Sequence, residues 1–339
     1  MACYHPNVMV KDEHGEWKFS GKFSGSVYEE TFKLDGRRHF LDGSTGEVSE
    51  ARLSDFVLVP CGQCAGCRID RSRHWADRLM MEKACYPDDQ TWFVTITYDA
   101  DHVPWTKNDD GVPVMTLEPD HVSQFMKRLR TYSGISGIRF YAAGEYGEKT
   151  KRPHYHLILY GLPEQLLKLS PFGASMQGYQ YYKSDLIARA WTNGFHSITR
   201  VDWNTCAYVA RYVVKKLTGD AAEWYKQQNI KPEFSRMSLR PGIGKEYYVN
   251  HKDQILKDDK IVLSTGSGGR SFVPHGYIDK LIKDEYPSLY ERNKAARLAK
   301  VADTIDFKMS NFDGTYLDLL ATEEWQFKER IKSLKRGDF

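Results

Sequence analysis

Two histidines stand two positions apart in Lys151-Arg-Pro-His-Tyr-His-Leu-Ile-Leu-Tyr160, a stretch that reads as a β-strand. Side chains alternate between the faces of a strand, so His154 and His156 point the same way. Two imidazoles side by side can hold one divalent metal, and Tyr155, Leu157 and Leu159 complete the strand. Alone the pair is a weak signal in a chain with 11 histidines, because short motifs recur by accident. Its neighbours carry the argument. Ile138-Arg-Phe-Tyr-Ala-Ala-Gly-Glu145 reads as a second strand, and a polar turn through Gly147 and Thr150 would fold Glu145 back beside both histidines. Glu148 is the alternative carboxylate.

Downstream, Asn204-Thr-Cys-Ala-Tyr-Val-Ala-Arg-Tyr-Val-Val-Lys-Lys216 has helical character. Residues four apart on a helix are surface neighbours, so Tyr208 and Tyr212 share a face. Lys216 continues that stripe with Lys215 beside it. Two phenols and one or two ammonium groups next to a metal suit phosphodiester chemistry, in which a metal acts as Lewis acid and template. A tyrosine oxygen can be the nucleophile of a two-step reaction through a covalent intermediate. Its ordinary pKa of about 10 means that it needs activation, which Lys215 or Lys216 would supply. Two tyrosines on one face suggest two successive transfers.

The series Phe93-Val-Thr-Ile-Thr-Tyr98, Gly144-Glu-Tyr-Gly, Pro153-His-Tyr-His156 and Tyr208-Val-Ala-Arg-Tyr-Val-Val-Lys-Lys216 resembles the motifs of HUH endonucleases. More narrowly it resembles the rolling-circle replication initiation proteins of the Microviridae, the small single-stranded DNA phages, and most closely their gokushovirus branch. The likeness continues through Pro60-Cys-Gly-Gln-Cys-Ala-Gly-Cys-Arg68, the helix opening at Arg71-Ser-Arg-His-Trp-Ala and Leu239-Arg-Pro-Gly-Ile-Gly244, covering most of residues 60 to 245. It implies an enzyme that nicks the viral strand at the origin with Mg²⁺ or Mn²⁺, links itself by a tyrosine to the 5′ phosphate, and later rejoins the ends into a circle. It also implies Glu145 as third metal ligand. The expected partners are viral single-stranded origin DNA, a host helicase and a DNA polymerase extending the free 3′ end, in the host bacterial cytoplasm. Two other readings compete: a plasmid relaxase or transposase with the same core, and a non-catalytic nucleic-acid-binding protein of RRM-like fold. The paired tyrosines followed by Lys-Lys, and the cysteine loop, favour the phage initiator.

The elements that must position these residues follow from the pattern. Strands are expected at 92–98, 138–145, 153–161 and 194–202, with helices at 119–131, 184–192 and 204–217. The 184–192 helix opens at Ser184-Asp185, and Gly194 follows its end. This order suits an α+β fold, an antiparallel sheet of four or five strands with helices packed on one face, which is also the palm-like core the resemblance implies. Residues 1–88 read as a β-rich lead-in, a cysteine loop and a basic helix over 68–86. Residues 89–218 form the core, and 219–339 form a mixed and helical extension with one long polar helix or two between 278 and 306. Tyr247, Tyr248 and Tyr277 could stack on bases or pack in a core.

A chain of 339 residues with 13% aromatics is a folded protein. Its formal charge of +3 excludes a global basic field, so local clusters must contact DNA. Candidates are Arg68, Arg71, Arg73 and Arg78, then Lys127, Arg128 and Arg130, then Lys149, Lys151 and Arg152 beside the histidines. No apolar run reaches the roughly 20 residues of a membrane span, and the first residues lack the regions of a signal peptide. A soluble, intracellular protein is expected. There is no phosphate-binding Gly-x-x-x-x-Gly-Lys-Ser/Thr loop, so strand separation needs a partner. Six cysteines are too few for a disulfide scaffold, and spaced cysteines in a reducing compartment often bind metal. Cys61, Cys64 and Cys67 form Cys-x-x-Cys-x-x-Cys, and Cys3 or His5 would supply the fourth ligand of a structural zinc. Three reduced thiols in a tight turn, or an iron–sulfur cluster, are the alternatives.

Overall fold

The computed structural model describes residues 3–11, 14–23, 37–41, 48–52, 56–147, 149–212, 222–265 and 268–333. In chain order the elements are β1 (Asn7–Lys11), β2 (Trp17–Lys22), β3 (Arg37–Leu41), β4 (Val48–Arg52), β5 (Phe56–Val59), α1 (Ala65–Lys83), β6 (Thr91–Tyr98), β7 (Trp105–Lys107), β8 (Pro113–Met115), α2 (Pro119–Ser133), β9 (Arg139–Tyr146) and β10 (Pro153–Tyr160). They continue with α3 (Glu164–Leu167), β11 (Ser170–Ala174), β12 (Gln180–Lys183), α4 (Asp185–Ala190), β13 (Gly194–Arg200), α5 (Trp203–Arg211), α6 (Glu223–Gln227) and β14 (Phe234–Met237). The last are α7 (Lys245–Asn250), α8 (Lys252–Asp258), β15 (Ile261–Thr265), β16 (Gly268–Phe272), α9 (Tyr277–Glu285), α10 (Pro287–Ser310) and α11 (Tyr316–Ser333). Two compact units emerge, one of residues 1–70 with 291–336 and one built on residues 71–290. No helix among the described residues is long and apolar enough to cross a membrane.

The larger unit is α+β, built on a seven-stranded antiparallel sheet in the order β11-β12-β13-β6-β10-β9-β14. Its four central strands are those expected from the sequence, each within two residues of the predicted bounds. The expected count of four or five strands is corrected to seven. β11 and β12 extend one edge and β14 the other, and these short strands of exposed or half-buried residues show no alternation that would announce them.

A second correction concerns the helices, which cover both faces rather than one. Strands β6 and β10 are apolar at both parities and almost wholly buried, and such strands need cover on both sides. On one face Trp92, Val94, Tyr155 and Leu157 pack with Phe125 and Leu129 of α2 and Ile187 of α4. On the other, Phe93, Ile158 and Tyr160 pack with Leu79 of α1, Val209 of α5 and Tyr248 of α7. Helix α1 reaches that second face through long-range bonds: the Arg78 guanidinium donates to the Ile243 carbonyl at 3.0 Å, and the Gly244 N–H donates to the Glu82 carboxylate at 2.7 Å. Tyr247 and Tyr248 are buried in this core, the packing alternative foreseen for them.

The first face is cross-linked by hydroxyls. The Tyr98 and Tyr155 oxygens lie 2.7 Å apart, and Tyr155 donates to the Glu118 carbonyl at the start of α2 at 2.9 Å. The residue between the two histidines thus anchors β10 to the helix layer behind the sheet. At α4, Ser184 occupies the N-cap position as expected, but its side chain makes no cap bond. Its N–H donates instead to His196 Nε2 on β13 at 3.0 Å, which requires an unprotonated ring nitrogen.

Gly194 opens β13 with φ at +146°, and a Cβ placed there would sit 2.3 Å from the Asp99 nitrogen and 2.4 Å from the Thr97 oxygen. Gly194→Ala is therefore expected to destabilise the protein by about 2 kcal/mol or more, read as a lower urea midpoint; an unchanged midpoint would contradict it. His196 gives a pH prediction. Burial, with the Lys183 charge adding to it, holds its imidazole down at about 4, below the unfolded value of about 6.5. Its contribution is complete above the unfolded pKa and declines as pH falls from there towards 4, by at most about 1.4 kcal/mol per pH unit. His196→Gln should flatten the dependence of the urea midpoint on pH over that window.

Candidate metal and tyrosine site

The register of the central strands builds the site. Glu145 lies directly across β9 and β10 from His154, and Thr95 on β6 lies directly across from His156. Alternation along β10 then carries His154 and His156 to the second face, opposite Tyr155. The Glu145 Oε1 atom is 2.7 Å from His154 Nε2 and 3.2 Å from His156 Nε2, and one ligand atom from each residue falls within 4.8 Å of the others. Glu145 and His156 are buried, and His154 is half-buried.

Hydrogen bonds behind the rings orient them. His154 Nδ1 is 3.1 Å from the Arg152 carbonyl, which can only accept, so Nδ1 carries the proton and Nε2 faces the carboxylate. The Thr95 hydroxyl is 3.0 Å from His156 Nδ1, fixing the second ring in the same sense. A bond from the outer nitrogen to a carbonyl or hydroxyl is how metal-binding histidines are commonly held. Two Nε2 atoms converging on one carboxylate oxygen need a cation or protons between them, so this donor set fits a divalent metal. Burial raises the Glu145 carboxyl, but the hydrogen bonds and charges of the two histidines outweigh it and hold the pKa well below the usual carboxylate range. The carboxylate is ionised at neutral pH.

Helix α5 supplies the phenols. Asp202 accepts from the Thr205 N–H at 2.8 Å while the Thr205 hydroxyl accepts from the Asp202 N–H at 2.8 Å, a reciprocal cap that fixes where the helix starts. Two turns on, Tyr208 and Tyr212 have ring centroids 5.1 Å apart. Tyr212 stacks on His156 at 4.9 Å with the planes 8° apart, and Tyr208 meets the same imidazole edge-on at 5.1 Å. Phe93 stacks behind His156 at 5.7 Å. Tyr208 is half-buried, whereas Tyr212 is 4% exposed. Burial pushes the Tyr208 phenol up to about 12. It raises Tyr212 further, helped by Tyr208 and by the Glu145 charge.

The structure brings Glu145, His154, His156, Tyr208 and Tyr212 together. Lys215, Lys216 and Glu148 lie outside the described residues, as does the end of the 204–217 helix. Of the basic candidates, several are committed to the fold: Arg78 bonds Ile243, Arg128 the Ala190 carbonyl, Arg130 the Ile138 carbonyl and Arg152 the Tyr98 carbonyl. Lys149 and Lys151 are exposed in the β9–β10 turn. Sequence reasoning passed over two residues. Thr95 carried a signal in its β-strand parity opposite His156, and Arg211, with its guanidinium 5.6 Å from the Tyr208 ring, stood between the tyrosines unremarked.

The family model for the phage replication-associated protein ORF2 matches residues 91–217, from β6 through α5. Replication-associated protein ORF2 of Spiroplasma virus 4 is 35% identical over 309 residues, covering 88% of this chain and 92% of the relative. Replication-associated protein ORF4 of Chlamydia phage 1 is 28% identical over 314 residues, covering 90% of this chain and 71% of the relative. Replication-associated protein VP4 of Bdellovibrio phage phiMH2K is 31% identical over 244 residues, covering 70% of each. No solved structure matches the chain. A likeness that runs nearly end to end, with the family model centred on the strands and helix of the site, makes this chain a member of the phage replication-associated protein family.

Proposed function

We propose that the protein initiates phage DNA replication as a metal-dependent HUH endonuclease, nicking the viral strand at its origin through a tyrosine and later rejoining the strand into a circle. The observation that carries this reading is the convergence of Glu145, His154 and His156 with Tyr208 and Tyr212 on one face of the sheet. In this proposal residues 89–218 are the endonuclease core, with 1–88 and 219–339 as the flanking segments. Glu145, His154 and His156 hold Mg²⁺ or Mn²⁺. When bound, the metal supplies Lewis-acid polarisation of the scissile phosphate and fixes its position.

The chain's own residues do the rest. A tyrosine oxygen attacks phosphorus, the bond from phosphorus to the 3′ oxygen breaks, the phenolic proton leaves and the 3′ oxygen gains one. The products are a 5′ phosphotyrosine and a free 3′ hydroxyl from which a polymerase extends. The high pKa values of both phenols keep them protonated until the attack, so proton removal is part of the step, and Lys215 or Lys216 is the proposed assistant. When the origin returns, the other tyrosine cuts it and the released 3′ hydroxyl attacks the first linkage to close the circle. A hydrogen bond from Thr95 keeps His156 aimed, and Arg211 accompanies Tyr208. Viral origin DNA is the substrate, with a host helicase separating the strands.

His154→Ala or His156→Ala is expected to abolish nicking while leaving DNA binding largely intact, since phosphate contacts carry most of the affinity. Thr95→Val should raise the Mn²⁺ concentration needed for nicking by about 10- to 100-fold. Full activity of either alanine variant on a labelled origin oligonucleotide would sink the metal site. On the same substrate, Tyr208→Phe and Tyr212→Phe should each retain some covalent adduct on a denaturing gel, with only the double variant losing it. If one single variant abolishes adducts and the other matches wild type in cleavage and circle release, the alternating mechanism is wrong. No adduct from wild type would return the protein to a nucleic-acid-binding role.

A further inference from the structure

A second set of ligating side chains lies in the unit formed by residues 1–70 and 291–336. Strand β1 pairs antiparallel with β5 so that Asn7 faces Val59. The chain before β1 therefore runs beside the chain after β5, which brings Cys3 against Cys61: the Cys61 N–H donates to Cys3 Sγ at 3.2 Å. Gly62, with φ at +75°, turns the backbone at once, a conformation glycine takes without steric cost. Cys64 and Cys67 then flank the start of α1. The result is one sulfur from the N-terminus and three from a seven-residue loop, all within 4.8 Å of one another.

The spacing identifies what these sulfurs suit. Cys61 Sγ is 3.9 Å from Cys67 Sγ, and Cys64 Sγ is 4.0 Å from Cys3 Sγ. A disulfide needs about 2 Å, whereas a tetrahedral zinc with bonds of about 2.3 Å spaces its sulfurs about 3.8 Å apart. Backbone amides converge on the same atoms. Gln63 and Cys64 N–H groups donate to Cys61 Sγ at 3.4 and 3.3 Å, and those of Tyr4 and Cys67 donate to Cys64 Sγ, both at 3.5 Å. A neutral thiol is a weak acceptor, so with the Cys61 amide this makes five donors aimed at three sulfurs, an arrangement that matches thiolates sharing a cation. His5, the alternative fourth ligand, is engaged elsewhere, with Nε2 3.0 Å from Glu324 Oε2 on α11. Cys85 donates to the Met81 carbonyl and Cys206 is buried in the core of the other unit.

We propose that Cys3, Cys61, Cys64 and Cys67 bind one zinc ion as four thiolates, a structural site that fastens the N-terminal segment to the start of α1. The unit has reason to need such a staple. Its described hydrophobic core is small, with Tyr4, Val8, Phe23, Leu319 and Leu320 beside the cysteines, and α10 buries none of its residues. Small cores are commonly supplemented by a metal. The ion would also order what the neighbouring residues hold, because Tyr4 packs on Phe327 of α11 with centroids 5.9 Å apart.

The test is the metal content of the full-length chain purified under reducing conditions. About one zinc per chain is expected, retained in His5→Ala, Cys85→Ser and Glu145→Ala and reduced at least tenfold in Cys3→Ser and Cys64→Ser. Retention in Glu145→Ala separates this ion from any bound at the histidine site, so the proposal stands or falls independently of the endonuclease reading. Should the serine variants fail to fold, wild type still decides it: four thiols should be shielded from a thiol reagent until a chelator is added. Chelation should also open residues 1–70 to protease ahead of residues 89–218. A zinc-free wild type, iron in place of zinc, or a full equivalent persisting in folded Cys3→Ser would overturn the proposal.

Discussion

Everything at the candidate site depends on the two-residue repeat of β10 at the centre of a sheet covered on both sides. Because alternate side chains take opposite faces, His154 and His156 reach one layer while Tyr155 and Leu157 are locked into the other. The Tyr155 hydroxyl, held between Tyr98 and the Glu118 carbonyl, stops the strand from sliding. A slip of one residue would exchange the two faces wholesale, sending the imidazoles into the layer of α2 and α4. Packing of the apolar parity therefore fixes the position of the polar one.

The same burial creates an electrostatic demand. A carboxylate as enclosed as Glu145 is costly to keep charged unless partners compensate, and the two imidazoles do so. The phenols respond in the opposite sense: enclosure and the nearby negative charge make both reluctant to ionise. A single apolar wall formed by Phe93, Val209 and their neighbours thus produces one group that gives up its proton easily and two that do not.

How much of this was legible in the sequence depends on the range of the interactions involved. The parity of Pro153-His-Tyr-His156, the turn that returns Glu145, and the four-residue offset of the tyrosines are local, and each could be read from a dozen residues. The edge strands were not legible, since β11, β12 and β14 are short and their pairing is decided by neighbours already in place. The second helical layer was hidden for a different reason. α1 precedes the core segment and α7 and α9 follow it, and they meet through contacts such as Arg78 to Ile243, 165 positions apart. The consecutive apolar run Leu157-Ile-Leu-Tyr160 did contain the hint, because a strand apolar at both parities cannot leave one face to water. For the cysteines, spacing alone left Cys3 and His5 equivalent, and only the β1–β5 register and the position of Glu324 separate them.

The place of β10 in the strand order has one more consequence. With β6 on one side and β9 on the other, its backbone amides and carbonyls have partners along both edges, and β11 and β14 lie two or more strands away. Protection from solvent exchange rises towards such central strands, which open only in the largest unfolding events, while edges fray at little cost. The conformational entropy of aligning the histidines and the glutamate is therefore lost when the chain folds rather than when a ligand arrives. Motion at the sheet's periphery, where DNA would be gripped and released, can proceed without loosening the centre.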